Sequence, residues 1–424
     1  MKEKLVKNNS GWYAWVICAC CTVLMFCTSG LIVSAFSVYV PYIQETSGFN
    51  DVQMSLLTTI RNLFSILAKA ATVVVITRIG LKKTIVASCM MAGIAFALFG
   101  LDTDSFILYC TASALAGFSN GLGAMVPISL LIQKWFYSQR TFALSICASG
   151  SAFATFLCPG LIAKGASNLG LGTTFFIEAA VILGIAVILS LLVFNDPESK
   201  GMKPYVTGRE EISKEKKYGS RPSALNNLMM LAACFLVGSL TLAFPNSNTL
   251  YYREIGFDNG TIASVVSFSG ITLLVGKWLY GAINDKVGPF RTNFLFIGTI
   301  ILGCLMGCFL NTQRAILLYL SQALSTIGFA LATVGISVWA ENMSDQQSYA
   351  KTLRNYQLSY TLGGIICSVL PGFIAQYTGS YFGTRIAAVV MSVLILLFVQ
   401  YTFFASRDKD KYRKNPAKEG QREK

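Results

Sequence analysis

Twelve apolar stretches, each about 20 residues long, follow one another along the chain, and each suffices to cross ~30 Å of hydrocarbon as a helix rising ~1.5 Å per residue. Lipid cannot hydrogen-bond to exposed backbone groups, so such stretches must be helical. The sequence therefore predicts an all-α membrane protein. Its twelve transmembrane helices lie near residues 12–36, 54–77, 84–101, 106–132, 142–163, 173–194, 224–244, 260–283, 292–311, 315–338, 352–375 and 383–405.

Composition and charge agree with a membrane location. The chain is 54% hydrophobic and 13% charged, whereas soluble domains carry about 25% charged residues. With a cytoplasmic amino terminus, most of the 34 Lys and Arg residues fall on the cytoplasmic side, as the positive-inside rule requires. We therefore expect a multi-pass protein of the plasma membrane with both termini in the cytoplasm. The net charge of +14 then reflects topology and attraction to anionic lipid, and not nucleic-acid binding.

The cysteines and the missing histidines argue against chemistry at a metal or cofactor. All 12 cysteines lie inside predicted spans, where a thiol serves as a small apolar packing group and a disulfide framework is implausible. The chain has no histidine and no phosphate-cradling loop. We expect no cofactor, no metal and no catalytic residues. A membrane-bound sensor or enzyme is the disfavoured alternative.

One long polar segment divides the twelve spans into six and six. It is "NDPESKGMKPYVTGREEISKEKKYGSRPS", residues 195–223, and its Gly, Pro, Ser and charged residues are typical of a flexible linker. The predicted organisation is an N-terminal six-helix bundle, a cytoplasmic linker, a C-terminal six-helix bundle and a basic cytoplasmic tail. These parts cover residues 1–194, 195–223, 224–406 and 407–424.

An internal repeat supports two equivalent halves. "KAATVVVITRIGLKKT" (69–84) overlays "KWLYGAINDKVGPFRT" (277–292) at a constant offset of 208. The overlay pairs Lys69 with Lys277, Arg78 with Lys286, Gly80 with Gly288, Lys83 with Arg291 and Thr84 with Thr292. Two pseudo-symmetric bundles are what a transporter with a site near the bilayer midplane needs.

The second copy resembles a known loop signature. "GAINDKVGPFR" (281–291) carries a Gly, three residues, an Asp, a basic residue, one residue, a Gly, and a basic residue shortly after. This order is similar to the loop motif of the major facilitator superfamily. The resemblance implies alternating access and a conformational gate formed by Gly281, Asp285, Lys286, Gly288 and Arg291. Asp285 is the best candidate for a latch, as a partly buried carboxylate that pairs in one state and is released in another.

The first copy departs from that motif. Val73 and Thr77 stand where a Gly and an Asp are expected, and only Arg78, Gly80 and Lys83 match. Gly80 and Gly288 are expected to supply tight turns between helices. Arg140 and Arg354 lie near the starts of the fifth and eleventh helices, where they either help cytoplasmic closure or anchor at lipid headgroups.

Within the superfamily, residues 135–163 and "SGWYAWVI" (10–17) resemble the oxalate/formate antiporter and monocarboxylate carrier branch. That branch places an arginine on the eighth helix, one turn before the signature glycine, and implicates it in carboxylate recognition. Lys277 stands at this position, four residues before Gly281. A lysine retains the charge but loses the planar bidentate fork, so a more adaptable anion contact is implied.

Intramembrane cations are the candidate substrate-binding groups. Arg61, Ser65 and Lys69 follow at four-residue steps on the second helix and share a face, and Lys277 lies on the equivalent helix. A charge near the bilayer centre costs a few kcal/mol and should face a cavity or a partner. We expect an electropositive cavity for a small mono- or dicarboxylate. The alternative, which stays open, is that Lys69 and Arg61 snorkel towards the membrane surfaces.

Gln357 and Tyr360 fall near one face of the eleventh helix and are further candidates for substrate binding. They are equally compatible with interhelical hydrogen bonding.

Exchange of one anion for another is the favoured way to drive transport. Of the 20 Asp and Glu residues, only Glu178 lies inside a predicted span, so a carboxylate proton relay is lacking. Antiport is favoured over proton symport, which Glu178 or a substrate-borne proton keeps open. A cationic-drug exporter is a further alternative, but we expect acids in the cavity of such a protein. We expect a monomer.

Overall fold

The computed structural model describes residues 11–101, 104–206, 223–312 and 315–413. Over these ranges the regular structure is helical, apart from one isolated parallel bridge between Phe136 and Tyr205. Twelve helices in the described ranges are long and apolar enough to cross a membrane. The predicted fold class is confirmed. The chain divides into two compact units, Met1–Lys216 and Lys217–Lys424.

The N-terminal unit holds helices α1 to α6. Each spans the length that a bilayer requires. Their bounds are Gly11–Ala35, Val52–Ile79, Leu81–Leu101, Phe106–Trp135, Arg140–Leu169 and Leu171–Leu192. A short helix, Tyr39–Ser47, continues from α1.

The C-terminal unit holds helices α7 to α12. Their bounds are Ala224–Ala243, Gly260–Val287, Pro289–Gly307, Ala315–Ala332, Tyr349–Thr378 and Phe382–Ser406. Two short helices, Pro245–Ile255 and Val334–Asn342, follow α7 and α10.

The repeat is visible in the backbone. The complete helix that contains the span α2 is Asp51–Ile79, and the one that contains α8 is Asn259–Val287. Each has 29 residues. The residues that cap their starts, Asn50 and Asp258, both accept a hydrogen bond from a backbone N–H of the first turn, as N-cap side chains do. The two halves therefore begin and end this helix at equivalent residues.

The first helix of each half departs from α-helical geometry near its end. Phe26–Ala35 in α1 and Ser239–Ala243 in α7 are π-helical. Another helix crosses α1 and α7 closely just before each π-helical segment. A Cβ at Gly150 would collide with the carbonyl oxygen of Thr22, and one at Gly363 with that of Phe235. Small residues thus let α5 approach α1 and α11 approach α7, each within its own unit.

The start of the predicted polar linker is in contact with the helices that precede it. Residues 195–206 pack onto the N-terminal unit. The side chain of Asn195 accepts a hydrogen bond from the backbone N–H of Lys82 at 2.7 Å. The backbone N–H of Tyr205 donates to the carbonyl oxygen of Trp135 at 2.8 Å. These bonds satisfy groups that helix ends leave open. Residues 207–222 of the predicted linker and residues 414–424 of the predicted tail lie outside the described residues.

Candidate functional site

Lys277 is buried deep in the C-terminal unit. Its side chain is 2% exposed, and it lies ten residues before Val287, the end of α8. At ~1.5 Å per residue that depth is about 15 Å, half of the ~30 Å hydrocarbon core. The neighbouring Gly276 has no room for a Cβ beside the backbone of Ile327, so α8 and α10 cross in close contact here.

Polar side chains are fixed on both sides of this lysine along α8. The Tyr280 hydroxyl and the Trp339 indole N–H both donate to the side-chain oxygen of Asn293, at 2.8 and 2.9 Å. On the other side, the hydroxyls of Thr272 and Thr326 are hydrogen-bonded at 2.6 Å. Asn293 Nδ2 has no hydrogen-bond partner among the described residues, so this network is only partly satisfied. The hydrogen bonds connect α8 to α9 and α10 on either side of Lys277.

Lys69 occupies the corresponding depth in the N-terminal unit. It lies ten residues before Ile79, the end of α2, and its side chain is half-buried. One turn earlier, the Ser65 hydroxyl donates to the side-chain oxygen of Asn120 at 2.8 Å. The amide of Asn120 then donates to the carbonyl oxygen of Thr28 in the π-helical part of α1 at 2.9 Å. The network ties together α1, α2 and α4 beside this lysine.

Arg61 contacts helix α1. Its Nη1 donates to the carbonyl oxygen of Ile32 at 2.8 Å, within the π-helical segment Phe26–Ala35. Its Cζ lies 5.5 Å from the centroid of the Phe36 ring, a cation–π distance. The guanidinium therefore connects α2 to α1. Its substrate-binding role stays a prediction.

The two residues predicted on α11 have different surroundings. The Tyr360 hydroxyl accepts a hydrogen bond at 3.2 Å from Thr241, in the π-helical part of α7. Gln357 is 6% exposed, and its Nε2 has no hydrogen-bond partner among the described residues. Tyr360 thus joins α11 to α7. The buried amide of Gln357 retains a donor for a ligand.

The predicted glycine turns are present. Gly80 and Gly288 have φ angles of 89° and 83°, and their backbone N–H groups cap the preceding helices at Ile76 and Asn284. Only glycine adopts this conformation without strain. Each turn reverses the chain directly into the next helix.

Most charged residues of the predicted gate are exposed. These are Arg78, Lys83, Asp285, Lys286 and Arg291. Gly281 is buried. Asp285 is thus exposed, and not partly buried as the sequence predicts. Its role as a latch stays a prediction.

Arg140 and Arg354 make local contacts at helix starts. Arg140 Nε donates to the carbonyl oxygen of Phe136 at 2.8 Å. Arg354 donates through Nε and Nη2 to the side-chain oxygen of Asn355 at 3.2 and 3.0 Å. Both guanidinium groups are half-buried, which is compatible with either of the roles expected from sequence.

A buried cation lies outside the residues singled out from the sequence. Arg385 is 4% exposed. Its Cζ lies 5.0 Å and 5.1 Å from the ring centroids of Tyr251 and Tyr252. The available signal was its place inside the predicted span 383–405.

Two six-helix units, with basic side chains midway along the second helix of each, define a multi-pass secondary transporter. The chain belongs to the Major Facilitator Superfamily, whose profile matches residues 22–355. The resemblance seen in the loop motif is thus confirmed, and the protein is a transporter and not an enzyme. As a membrane transporter it binds a small-molecule substrate within a lipid bilayer.

The relatives that this chain resembles are named for different substrates. Multidrug resistance protein MdtG of Yersinia enterocolitica is 26% identical over 387 residues, which cover 88% of this chain and 89% of the relative. Monocarboxylate transporter 13 of Bos taurus is 20% identical over 317 residues, covering 74% and 71%. The latter agrees with the resemblance to the monocarboxylate branch.

A solved structure shows the same fold. The crystal structure of FucP, a Major Facilitator Superfamily transporter in the outward conformation, matches with a TM-score of 0.70 at 14% identity. The match covers 92% of this chain and 99% of FucP. At that identity the likeness establishes the fold alone.

Proposed function

We propose that this protein moves a small organic anion, a mono- or dicarboxylate, across the plasma membrane by alternating access, and that it works as a monomeric antiporter with both termini in the cytoplasm. The observation that carries the proposal is the burial of Lys277, 2% exposed and about 15 Å from the end of its helix. A lysine is retained at such a depth when it faces a partner or a substrate.

The charges in the middle of the spans favour an anion. Three cations, Arg61, Lys69 and Lys277, lie more than two turns from either end of their helices. Glu178 on α6 lies seven residues after Leu171, the start of that helix, which is less than two turns, and it faces the Tyr39 hydroxyl. An anionic substrate offsets this excess of positive charge, whereas a cationic substrate adds to it.

The chemistry of lysine suits a small and variable substrate. An ammonium group on a flexible stem offers three donors without a fixed direction. It therefore accepts carboxylates of different shape. The unsatisfied Nε2 of Gln357 supplies a further donor. Lys69, Arg61 and Tyr360 complete the proposed substrate-binding set.

The glycine turns and their neighbouring charges serve as the proposed gate. Gly80 and Gly288 connect long helices through short turns, so a change in helix tilt concentrates there. In this proposal Asp285 and the adjacent cations exchange partners when the helices move. Asp285→Asn is expected to slow the transport cycle without weakening substrate binding.

A multidrug exporter is the competing function, because the relative that covers 88% of this chain is named for multidrug resistance. The two proposals differ in the charge of the ligand. A thermal-stabilisation screen of purified protein against small carboxylates, neutral sugars and cationic dyes separates them. Stabilisation by carboxylates alone supports the anion carrier. Stabilisation by cationic dyes alone contradicts it.

Coupling is tested in preloaded proteoliposomes. An antiporter accelerates uptake of labelled carboxylate when the lumen holds unlabelled carboxylate, whether or not a pH gradient is present. Uptake that needs an inward proton gradient and ignores the internal anion contradicts antiport. It identifies the symporter, and Glu178→Gln then abolishes that gradient dependence.

A further inference from the structure

Two donor nitrogens of Arg385 have no acceptor among the described residues. It is 4% exposed, and its Nε and Nη2 have no hydrogen-bond partner within the part of the chain that the structure describes. A buried charge with unsatisfied hydrogen-bond donors is strongly unfavourable. We propose that Arg385 binds the carboxylate of an organic anion, forming a second anion site in the C-terminal unit, separate from Lys277.

The two unsatisfied donors fit a carboxylate. Nε and Nη2 form one edge of the guanidinium plane, from which two N–H bonds project in parallel. That edge is one of those that bind both oxygens of a carboxylate at once. A single carboxylate therefore satisfies both donors and the charge together.

Aromatic rings hold the guanidinium in place. Tyr251 and Tyr252 lie 5.0 and 5.1 Å from Cζ, and both are buried. The Tyr252 hydroxyl donates to the side-chain oxygen of Gln322 at 2.9 Å, which fixes that ring. Such rings attract the cation but accept none of its in-plane hydrogen bonds. The site is thus preorganised for a planar anion.

The local backbone favours an anion over the arginine itself. Arg385 lies in the first turn of the long helix that starts at Phe382, where the helix dipole disfavours a cation and favours an anion. The carboxylate of Glu254 is nearby but exposed. It accepts a hydrogen bond from the backbone N–H of Tyr381 at 2.8 Å. The Glu254 carboxylate is therefore bound to the Tyr381 backbone N–H and not to Arg385.

This site is remote from Lys277. It lies at the end of the unit opposite the Gly288 turn, where α8 begins at Gly260. Lys277 is seventeen residues further along α8, about 25 Å by helical rise. In the predicted orientation Arg385 is at the external side, where it captures carboxylates from solution. Binding at Arg385 stands by itself, whereas its use in delivering substrate rests on the proposed function.

The test measures binding of labelled lactate and benzoate to the purified full-length protein. Lys277→Gln serves as the background, in which the deeper site is removed. The matched control is Arg253→Gln, an exposed arginine on the same short helix as the two tyrosines. We expect one saturable site in Lys277→Gln and in Lys277→Gln/Arg253→Gln, and none in Lys277→Gln/Arg385→Gln. Arg385→Lys is expected to weaken binding at least about tenfold, because the fork is lost.

Unfolding temperatures distinguish a ligand site from a packing role. If Arg385 is kept for a ligand, Arg385→Gln unfolds in carboxylate-free buffer at or above the wild-type temperature, since an unpaired buried charge is removed. A lower unfolding temperature together with unchanged carboxylate binding overturns the proposal, as does the lack of any site in the Lys277→Gln background. Loss of binding in Arg385→Gln with no carboxylate uptake by wild-type vesicles upholds this site and contradicts the proposed transport function.

Discussion

Lys69 and Lys277 lie at the same depth on equivalent helices, each ten residues before the end of a 29-residue helix that a glycine of positive φ terminates. Their surroundings differ. Lys277 is fully buried, whereas Lys69 is half-buried. If both lysines bind substrate as proposed, Lys277→Gln is expected to lower substrate affinity more than Lys69→Gln does.

The glycine turns give a prediction for stability. Gly80→Ala or Gly288→Ala forces an L-residue into a φ near 85°, with a cost of about 1–3 kcal/mol. Gly184→Ala on α6 is the matched control, because a Cβ there meets nothing within 4 Å. Thermal unfolding in detergent should show a clear decrease for the first two and little change for the third. Equal unfolding temperatures for all three contradict the strain argument.

A substitution at Arg61 distinguishes a role in stability from a role in transport. Arg61→Gln removes the charged donor from the carbonyl oxygen of Ile32, which is expected to lower stability by about 1.5–3 kcal/mol. Arg253→Gln, at an exposed site, should leave stability unchanged. Unfolding temperature and carboxylate uptake are measured on the same preparations. Wild-type stability with lost uptake means that the guanidinium serves the substrate and not α1.

Asn293 is the shared acceptor of two buried donors. Asn293→Ala leaves the Tyr280 hydroxyl and the Trp339 indole N–H without their acceptor, and each unsatisfied group costs about 1–3 kcal/mol. Thr299→Ala on the same helix removes only a bond to the local backbone. We expect a large loss of stability for the first variant, together with a change in tryptophan fluorescence. A loss no greater than that of Thr299→Ala contradicts the network.

The start of α8 predicts a dependence on pH. Hydrogen bonds from the Thr261 hydroxyl and backbone N–H lower the pKa of the Asp258 carboxyl below its ordinary value. A lowered pKa stabilises the folded state above the pKa of the unfolded chain, and that stabilisation is lost as the pH falls through the folded value. Asp258→Asn should therefore unfold at a lower temperature than wild type at neutral pH and match it in acid. A difference that persists at low pH contradicts the charged cap.

The twelve spans and the repeat were predictable because both depend on local signals. Hydropathy identifies the spans, and the glycines that end α2 and α8 mark the repeat. The helix ends were less predictable. The span predicted at 260–283 continues to Val287, since polarity rises at Asn284 while helical hydrogen bonding persists until Gly288.

The site was only partly predictable. The sequence identifies Lys69 and Lys277 as charges inside apolar runs, but the hydrogen bond from Arg61 to Ile32 depends on how α1 and α2 pack. The burial of Arg385 likewise depends on Tyr251 and Tyr252, which come from a distant short helix. Such contacts between remote segments leave no local pattern in the chain.

Anion transport through Lys277 is tested most directly by carboxylate uptake into proteoliposomes that contain wild type, Lys277→Gln or Lys164→Gln. Lys164 is an exposed lysine on α5 and serves as the control for charge. We predict that Lys277→Gln lowers uptake at subsaturating substrate at least about tenfold, because one charge-assisted contact is lost, while Lys164→Gln transports as wild type does. Wild-type uptake by Lys277→Gln would contradict a substrate-binding role for this lysine.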